Sequence, residues 1–225
     1  DELKGAFSLP DIFPSYSSGL MTVRDNLAIA FDRDELHERF EMFRSSAVSD
    51  KQFQAVCPVK DYRKWTMSEA RQNVRADKKW ENRMGVVNYR PFDKRWIFYS
   101  PDIITYPNFR VMDQFKRKNL GLISSRIHKG EEHAHEFATR EMVEIIFLSS
   151  KSSNNAFLFP LYTFDADGDL ALEEGGTPNF SREFLKQLAA NLGLRQQSNS
   201  GLPQGLSPED IFHYAYAVLH SPGYR

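Results

Sequence analysis

Hydrophobic and polar positions follow two different periods along the chain, which predicts a mixture of strands and helices. Short apolar runs that are rich in β-branched and aromatic residues indicate buried strands. These runs are residues 27–31, 86–89, 96–99, 120–125, 143–148 and 157–164. Because they do not alternate regularly with helical segments, we expect an α+β fold in which a mixed or antiparallel sheet carries flanking helices.

Polar N-cap residues mark the predicted helices. Asp32 followed three residues later by Glu35 has the capping-box pattern, and Leu36, Phe40 and Phe43 give the helix after it one apolar stripe. Further helices are predicted to begin at Ser49, Ser68, Ser181 and Ser207, the last one forming a C-terminal helical segment over residues 207–225. Residues 9–14 contain two prolines and are predicted to be an extended loop.

The segment from Tyr89 to Tyr99 reads Tyr-Arg-Pro-Phe-Asp-Lys-Arg-Trp-Ile-Phe-Tyr and predicts a strand pair that bends near Asp93. We expect Phe92 and Trp96 to lie in the core, and Asp93 to pair with Arg95 or Arg90. Aromatic residues interleaved with arginines have two interpretations: the edge of a core with solvated ends, or a surface that contacts nucleic acid.

The charge distribution favours neither interpretation alone. The chain of 225 residues has a net charge of -1, but residues 60–130 hold 17 Lys+Arg against 7 Asp+Glu, and the rest holds 12 against 23. The two parts either neutralise each other in the folded domain or leave a basic face for a polyanion.

Thr22 and Arg24 also have two interpretations. Arg24 could pair with Asp25 and cap a turn, or Thr22 and Arg24 could reach a DNA backbone. The candidate DNA-contacting residues are Thr22, Arg24, Arg90, Arg110, Lys116, Arg117, Lys118, Arg126, His128 and Lys129.

Motifs of catalysis and metal binding are missing from the sequence. It has no glycine-rich phosphate loop, no Asn-Pro-Pro-Tyr segment of an amino-methyltransferase and no nuclease triad. His128, His133 and His135 match no zinc spacing, so we expect a solvated turn or a DNA-facing loop there and no metal site. The single cysteine, Cys57, excludes an internal disulfide and favours a cytoplasmic protein, and no apolar run is long enough to span a membrane.

Several separated segments carry a family resemblance, in order along the chain. They are Leu9-Pro10-Asp11-Ile12-Phe13, Gly19-x-x-Thr22-x-Arg24-Asp25, Tyr89-Arg90-Pro91-Phe92-Asp93-x-Arg95, Arg110-x-Met112, Asn119-x-Gly121-Leu122, Phe159-Pro160-Leu161-Tyr162 and Ile211-Phe212-x-Tyr214-x-Tyr216 with the residues that follow to Arg225. The set covers nearly the whole chain. It resembles the C-terminal target-recognition domain of Type ISP and related fused restriction-modification enzymes.

The resemblance implies one DNA target-recognition domain over residues 1–225, in which residues 1–30 connect to an upstream methyltransferase domain. Its partners would be double-stranded DNA and that upstream domain. Adenine-N6 methylation and DNA cleavage would belong to upstream domains, as would the cofactor S-adenosylmethionine, so this chain itself is expected not to be an enzyme. The chain begins at Asp1 without a methionine, and we expect it to be part of a longer protein. The alternative is a protein-interaction or structural module without direct DNA contact.

Overall fold

The computed structural model describes residues 6–126, 136–149, 154–164 and 176–223. The α-helices in this part of the chain are α1 (Leu9–Ile12), α2 (Asp25–Ala28), α3 (Arg33–Arg44), α4 (Asp50–Val56), α5 (Met67–Ala76), α6 (Phe109–Met112), α7 (Arg182–Leu192) and α8 (Pro208–Leu219), with 3-10 turns at Trp80–Arg83 and Asp113–Lys116. The strands are β1 (Ser17–Ser18), β2 (Ile29–Ala30), β3 (Met84–Arg90), β4 (Asp93–Phe98), β5 (Gly121–Ser125), β6 (Phe137–Thr139), β7 (Met142–Val143), β8 (Ala156–Pro160), β9 (Tyr162–Thr163) and β10 (Thr177–Pro178). None of the described helices has the length and apolarity needed to cross a bilayer.

The strands form two four-stranded sheets and one small pair. The first sheet has the order β1-β8-β5-β6 and is antiparallel throughout. The second has the order β2-β4-β3-β7, and its β3–β7 pair is parallel while the others are antiparallel. Strands β9 and β10 pair with each other. The architecture confirms the predicted α+β class with antiparallel and mixed sheets.

Two hydrophobic cores lie on opposite sides of the first sheet. Leu122 of β5 belongs to the core that α7 and α8 cover, whereas its neighbour Ile123 belongs to the core shared with the second sheet and α3 to α5. Successive residues of a strand point to opposite faces, so a strand covered on both faces is continuously apolar. This explains why residues 120–125 were recognisable as a strand without any alternation of polar positions.

Local capping chemistry sets most of the helix starts as predicted. Asp32, Ser49, Ser181 and Ser207 are the N-caps of α3, α4, α7 and α8, and each side chain accepts a backbone N–H three residues later. The prediction of Ser68 as the start of α5 was wrong by two residues, because Thr66 accepts the N–H of Glu69.

Two predicted segments differ from the structure at their ends. Residues 9–14 are not a loop throughout: α1 forms there because Ser8 and Asp11 make a capping box and Pro10 fits the first turn. The strand predicted over residues 143–148 ends at Val143, because the N–H of Ile146 turns back to the carboxylate of Glu144.

Residues 9–30 lie within the fold, although residues 1–30 were expected to be a connection. Strand β1 pairs with β8 in the first sheet, and β2 pairs with β4 in the second. Phe13 is fully buried between these elements and α8, with its ring 6.5 Å from that of Phe212. The N-terminal segment therefore stabilises both sheets.

The β3–β4 hairpin confirms the predicted strand pair, and the two-residue turn is Pro91 and Phe92. The prediction that Phe92 lies in the core was wrong: its side chain is 99% exposed, and its φ of 65° lies in the left-handed region. Trp96 packs against the core as a partly buried residue. Asp93 pairs with Arg95 at 2.8 Å, as predicted. The turn therefore presents an aromatic ring to solvent.

Candidate nucleic-acid interface

A short turn on the surface presents two adjacent basic side chains. Tyr62 and Trp65 exchange backbone hydrogen bonds of 3.1 and 3.0 Å, which leaves Arg63 and Lys64 at the tip. Arg63 has a φ of 54°, and Lys64 has no positive φ. A positive φ at only the first central position of such a turn is the pattern that normally takes glycine. Arginine in this region costs roughly 1–2 kcal/mol in backbone strain.

The base of this turn is anchored on both sides. The indole N–H of Trp65 donates to the carbonyl of Asp102 at 2.6 Å, and the carboxylate of Asp61 accepts the N–H of Met67 at 2.9 Å. Beneath it, the guanidinium of Arg24 stacks on the Trp65 ring at 3.8 Å. The turn is therefore held in place while its tip stays exposed.

Two tyrosine rings hold the Arg63 side chain. Nη1 of Arg63 donates to the hydroxyl of Tyr106 at 2.5 Å. The Arg63 Cζ lies 5.2 Å from the centroid of Tyr62 and 6.0 Å from that of Tyr106. Both rings are about 40% exposed, so one face of the cluster is open to solvent. The guanidinium is oriented by aromatic groups and not by a carboxylate.

The surface continues from Tyr106 to α6. Tyr106 bridges to the backbone of Met21, and Asn108 donates to the carbonyls of Ser18 and Gly19, which fixes the segment before the helix. Phe109 then packs edge-on against Tyr99 at 5.4 Å. The Lys116 amine lies 5.1 Å from the Tyr99 ring. The short backbone segment from Tyr106 to Phe109, followed by the Tyr99 ring, thus connects the Arg63 turn to Lys116.

We call this surface the basic face. It consists of Lys60, Tyr62, Arg63, Lys64, Tyr106, Phe109, Arg110 and Lys116. Within the described residues, Lys60, Arg63, Lys64 and Arg110 are exposed and form no ion pair. Lys116 pairs with Asp113 at 2.8 Å, and both partners are largely exposed. Unpaired cations beside exposed aromatic rings can attract phosphate and stack on bases.

Thr22 and Arg24, which the sequence offered as DNA-contacting candidates, are buried below the basic face, and their contact with DNA stays a prediction. Thr22 is 0% exposed and its hydroxyl donates to Asp25. Arg24 is 4% exposed and donates from Nη1 to Thr105 at 3.0 Å. Burial lowers the pKa of the Arg24 guanidinium. Both residues support the surface from inside, and Asp25 is bonded by Thr22 rather than by Arg24.

Arg90 also makes its contacts with partly or fully buried residues. Its Nη1 lies 2.7 Å from the buried carboxylate of Glu144, and its guanidinium stacks on Tyr89 at 4.0 Å. The Tyr89 hydroxyl in turn donates to Asp25 at 2.7 Å. The hairpin thus joins the network below the basic face, and the exposed fraction of the Arg90 side chain is 23%. The guanidinium of Arg90 is thus already paired with a carboxylate, and its contact with DNA stays a prediction.

The other predicted residues are dispersed. Arg117 stacks on Phe164 at 5.1 Å, and Lys118 is exposed next to it. Arg126 lies at the opposite end of β5, where its guanidinium is 5.5 Å from the Phe157 ring. Of the predicted residues, Arg110 lies on α6 and Lys116 on the 3-10 turn that follows it. Two others, His128 and Lys129, lie outside the described residues, and contact with DNA stays a prediction for all ten candidate residues.

Arg126 borders an apolar cavity of about 870 Å³ between α1, α7, α8 and the first sheet. Its wall contains the rings of Phe157, Phe159 and Phe184, and Glu136 is one of its few charged residues. This apolar environment differs from that of the basic face, so Arg126 belongs to another part of the surface. The histidine cluster considered as a metal site lies mostly outside the described residues, and within them no group of His, Cys, Asp and Glu is arranged to hold a metal ion.

Sequence reasoning missed Lys60, Arg63, Lys64 and Tyr106. The signal was present as Tyr62-Arg63-Lys64-Trp65, an aromatic and basic pattern like that of the hairpin. What the pattern could not show is that Tyr106, 43 residues away, holds Arg63. The basic character predicted for residues 60–130 is nevertheless found on an exposed surface.

An α+β domain with exposed, unpaired cations among aromatic rings belongs to the class of domains that can bind polyanions. The chain belongs to the Type ISP C-terminal specificity domain family, whose model matches residues 11–225. No curated protein matches the sequence.

Solved structures of similar fold come from much longer chains. A DrdV–DNA complex solved by cryo-electron microscopy aligns with a TM-score of 0.59 and 21% identity, over 99% of this chain and 21% of that one. The ATP-dependent Type ISP restriction-modification enzyme LlaBIII bound to DNA aligns with a TM-score of 0.63 and 19% identity, over 99% of this chain and 14% of that one. A nuclease-deletion mutant of the Type ISP restriction-modification enzyme LlaGI, in complex with a DNA substrate mimic, aligns with a TM-score of 0.57 and 18% identity, over 97% of this chain and 19% of that one. At these identities the likeness shows a shared fold, and the chain spans about a fifth or less of each.

Proposed function

We propose that this domain recognises the DNA target of a Type ISP restriction-modification enzyme and that the basic face is the surface that contacts the duplex. The observation that carries the proposal is a group of exposed cations, Lys60, Arg63, Lys64 and Arg110, that pair with no acid among the described residues of a specificity-domain fold. The DNA complexes of LlaBIII and DrdV, which share the fold, support it.

The catalytic steps are assigned to other parts of the polypeptide. Adenine-N6 methylation and cleavage would take place in upstream domains, and S-adenosylmethionine would bind the methyltransferase domain there. This chain carries none of the sequence motifs of those activities, so we propose that it contributes specificity without turnover of its own. We place the enzyme in the cytoplasm of a bacterium or archaeon, with the upstream methyltransferase domain as the partner of this one.

Salt dependence of binding tests the proposal. Each lysine or arginine that neutralises a phosphate releases counterions, so the slope of log affinity against log salt reports the number of contacts. In the full-length protein, the triple change Lys60→Gln, Lys64→Gln and Arg110→Gln should weaken binding to every duplex and flatten the slope by about three. Fluorescence anisotropy with a labelled duplex, across a salt series, measures both quantities.

A matched control removes three exposed cations elsewhere. Lys51, Arg182 and Lys186 are exposed on α4 and α7, and in the described residues they form no ion pair. Changing these three to glutamine alters net charge equally and should leave the salt slope nearly unchanged. Unfolding midpoints of both triple variants verify that they are folded.

The alternative function, an interaction module without direct DNA contact, predicts a different outcome. The two triple variants would then change the slope by the same small amount, because only net charge matters. Such a result would remove the basic face from DNA recognition and leave its cations as balance for the acidic remainder of the chain.

A further inference from the structure

We propose, building on the proposed function, that Arg63 reads a guanine base edge while the lysines around it contact phosphates. Within the basic face, Arg63 is a cation that tyrosine side chains orient and that forms no ion pair with a described residue. Its Nη1 donates to Tyr106, and its Cζ lies 5.2 Å from the ring centroid of Tyr62 and 6.0 Å from that of Tyr106. Lys60 and Lys64 have no such contacts in the described residues.

The geometry leaves the hydrogen-bond donors that guanine needs. Arginine contacts guanine through two N–H groups directed at O6 and N7 in the major groove. With Nη1 bound to Tyr106, the Nε and Nη2 donors of Arg63 make no hydrogen bond to any described residue. These two donors lie on the same edge of the guanidinium and form a bidentate fork. The tyrosines thus fix the side chain and leave its other edge free.

Fixing the side chain before binding favours specificity. A long side chain loses rotamer freedom when it is immobilised at an interface, and part of that loss has already occurred here. The lysines, in contrast, are flexible point charges without a bidentate donor pair, which suits phosphate contact. The same face therefore contains both a pre-oriented base reader and backbone contacts.

The backbone at Arg63 supports the same role. Its φ of 54° lies where glycine would be free of strain, yet the residue is arginine. Strained positions of this kind occur where the surrounding structure maintains them for function. Here Tyr106 and the anchored Trp65 maintain the turn.

Guanine analogues provide the test. The target is first obtained by selecting duplexes from a randomised pool with the full-length protein. Each guanine of the target is then replaced in turn by 7-deazaguanine, which pairs normally but lacks the N7 acceptor. One replacement should weaken binding of the native protein roughly 5- to 150-fold, the range for one bidentate contact. The Arg63→Gln protein should bind the native target more weakly and should no longer respond to that replacement.

Two further variants separate base reading from simple charge. Lys64→Gln, at the neighbouring position of the turn, should flatten the salt slope by about one and keep the response to 7-deazaguanine. Tyr106→Phe removes only the hydroxyl that orients Arg63, and should reduce the 7-deazaguanine response without changing the salt slope.

Each other outcome overturns the inference in a recognisable way. If Arg63→Gln responds to every analogue as the native protein does, or if no guanine is sensitive, Arg63 does not read guanine, although DNA recognition by the basic face still stands. If the Lys60, Lys64 and Arg110 triple variant also binds normally, the proposed function itself fails. Unfolding midpoints close to native for all variants exclude misfolding as the cause.

Discussion

Arg90 Nη1 lies 2.7 Å from Oε2 of Glu144, an ion pair that joins the end of β3 to the residue after β7. The Glu144 side chain is 5% exposed and also accepts the N–H of Ile146 at 2.8 Å. Burial raises the pKa of Glu144, and the Ile146 N–H and Arg90 oppose that effect. The pair holds the hairpin against the strand that runs parallel to it.

Replacing Arg90 by alanine should therefore destabilise the domain. The change leaves a buried carboxylate without its cation, and we expect a loss of about 3 kcal/mol, the lower end for a broken buried pair because Arg90 is partly exposed. Urea unfolding at pH 7 measures the loss. Because protonation removes the charge, the loss should shrink as the pH falls towards the ordinary glutamate pKa of about 4.3.

The double variant Arg90→Met and Glu144→Gln is the control for this pair. It removes both charges and should be more stable than Arg90→Ala alone. A loss in Arg90→Ala that is the same at all pH values would show that packing of the Arg90 stem matters and the ion pair does not.

Replacing Phe92, in contrast to Arg90, should hardly change the stability of the domain. Because its ring is 99% exposed, Phe92→Ala should change the free energy of unfolding by less than about 0.5 kcal/mol. Phe92→Gly should be at least as stable as the native protein, since glycine relieves roughly 1–2 kcal/mol of left-handed strain and loses part of that gain to unfolded-state entropy. Thermal unfolding of the two variants provides the comparison.

Phe98, on the same hairpin, is the matched buried residue. It is 1% exposed and stacks on Phe40 at 3.7 Å, so Phe98→Ala should cost about 3–5 kcal/mol. Equal losses at positions 92 and 98 would contradict the exposed position of the Phe92 ring.

Arg71 is a buried cation. It is 2% exposed, lies 2.5 Å from Asp50, and donates to the carbonyls of Phe43, Ser45 and Val48. It thereby joins α5 to the end of α3 and the start of α4. Arg71→Ala should cost about 3–5 kcal/mol, measured by urea unfolding, because several carbonyls lose their donor together with the ion pair.

Arg75, one turn further along α5, is the control for Arg71. It is exposed and donates to the carbonyls of Arg44 and Ser45. Arg75→Ala should cost about 1 kcal/mol, since solvent replaces its hydrogen bonds. A similar small loss at Arg71 would indicate that water reaches the carbonyls it now satisfies.

These residues also show which features a sequence can reveal. The starts of α3, α4, α7 and α8 were predictable because an N-cap side chain bonds a backbone N–H only three residues away. The exposure of Phe92 and the burial of Arg71 were not, since they depend on packing between distant segments. Asp50 and Arg71 are 21 residues apart, and Asn88 and its partner Thr139 are 51 apart.

Some features of the basic face were likewise predictable from the sequence and others were not. The excess of cations in residues 60–130 is a property of composition and was visible directly. Which cations form ion pairs and how the others are oriented was not visible, because Glu144 pairs with Arg90 and Tyr106 bonds Arg63 through contacts across the fold. A basic residue that looks free in the sequence therefore has to be tested against the acids and rings that folding brings to it.

The hydrogen bond from Tyr162 to Glu209 should make stability sensitive to alkaline pH. The Tyr162 hydroxyl donates to Oε1 of Glu209 at 2.8 Å and joins β9 to the first turn of α8. Burial, followed by that bond and the charge of Glu209, raises the pKa of Tyr162. The folded domain then keeps its phenol proton while the unfolded chain loses it near pH 10, so stability is present below that pH and is lost as the pH rises.

Tyr162→Phe should cost about 1–2 kcal/mol at pH 7 and progressively less above pH 10, so that its unfolding midpoint approaches that of the native protein. Tyr214→Phe, at a 69% exposed position of α8, is the control and should follow the native curve throughout. Native and Tyr162→Phe curves that stay parallel from pH 7 to 11 would show that ionisation of Tyr162 has no part in alkaline unfolding.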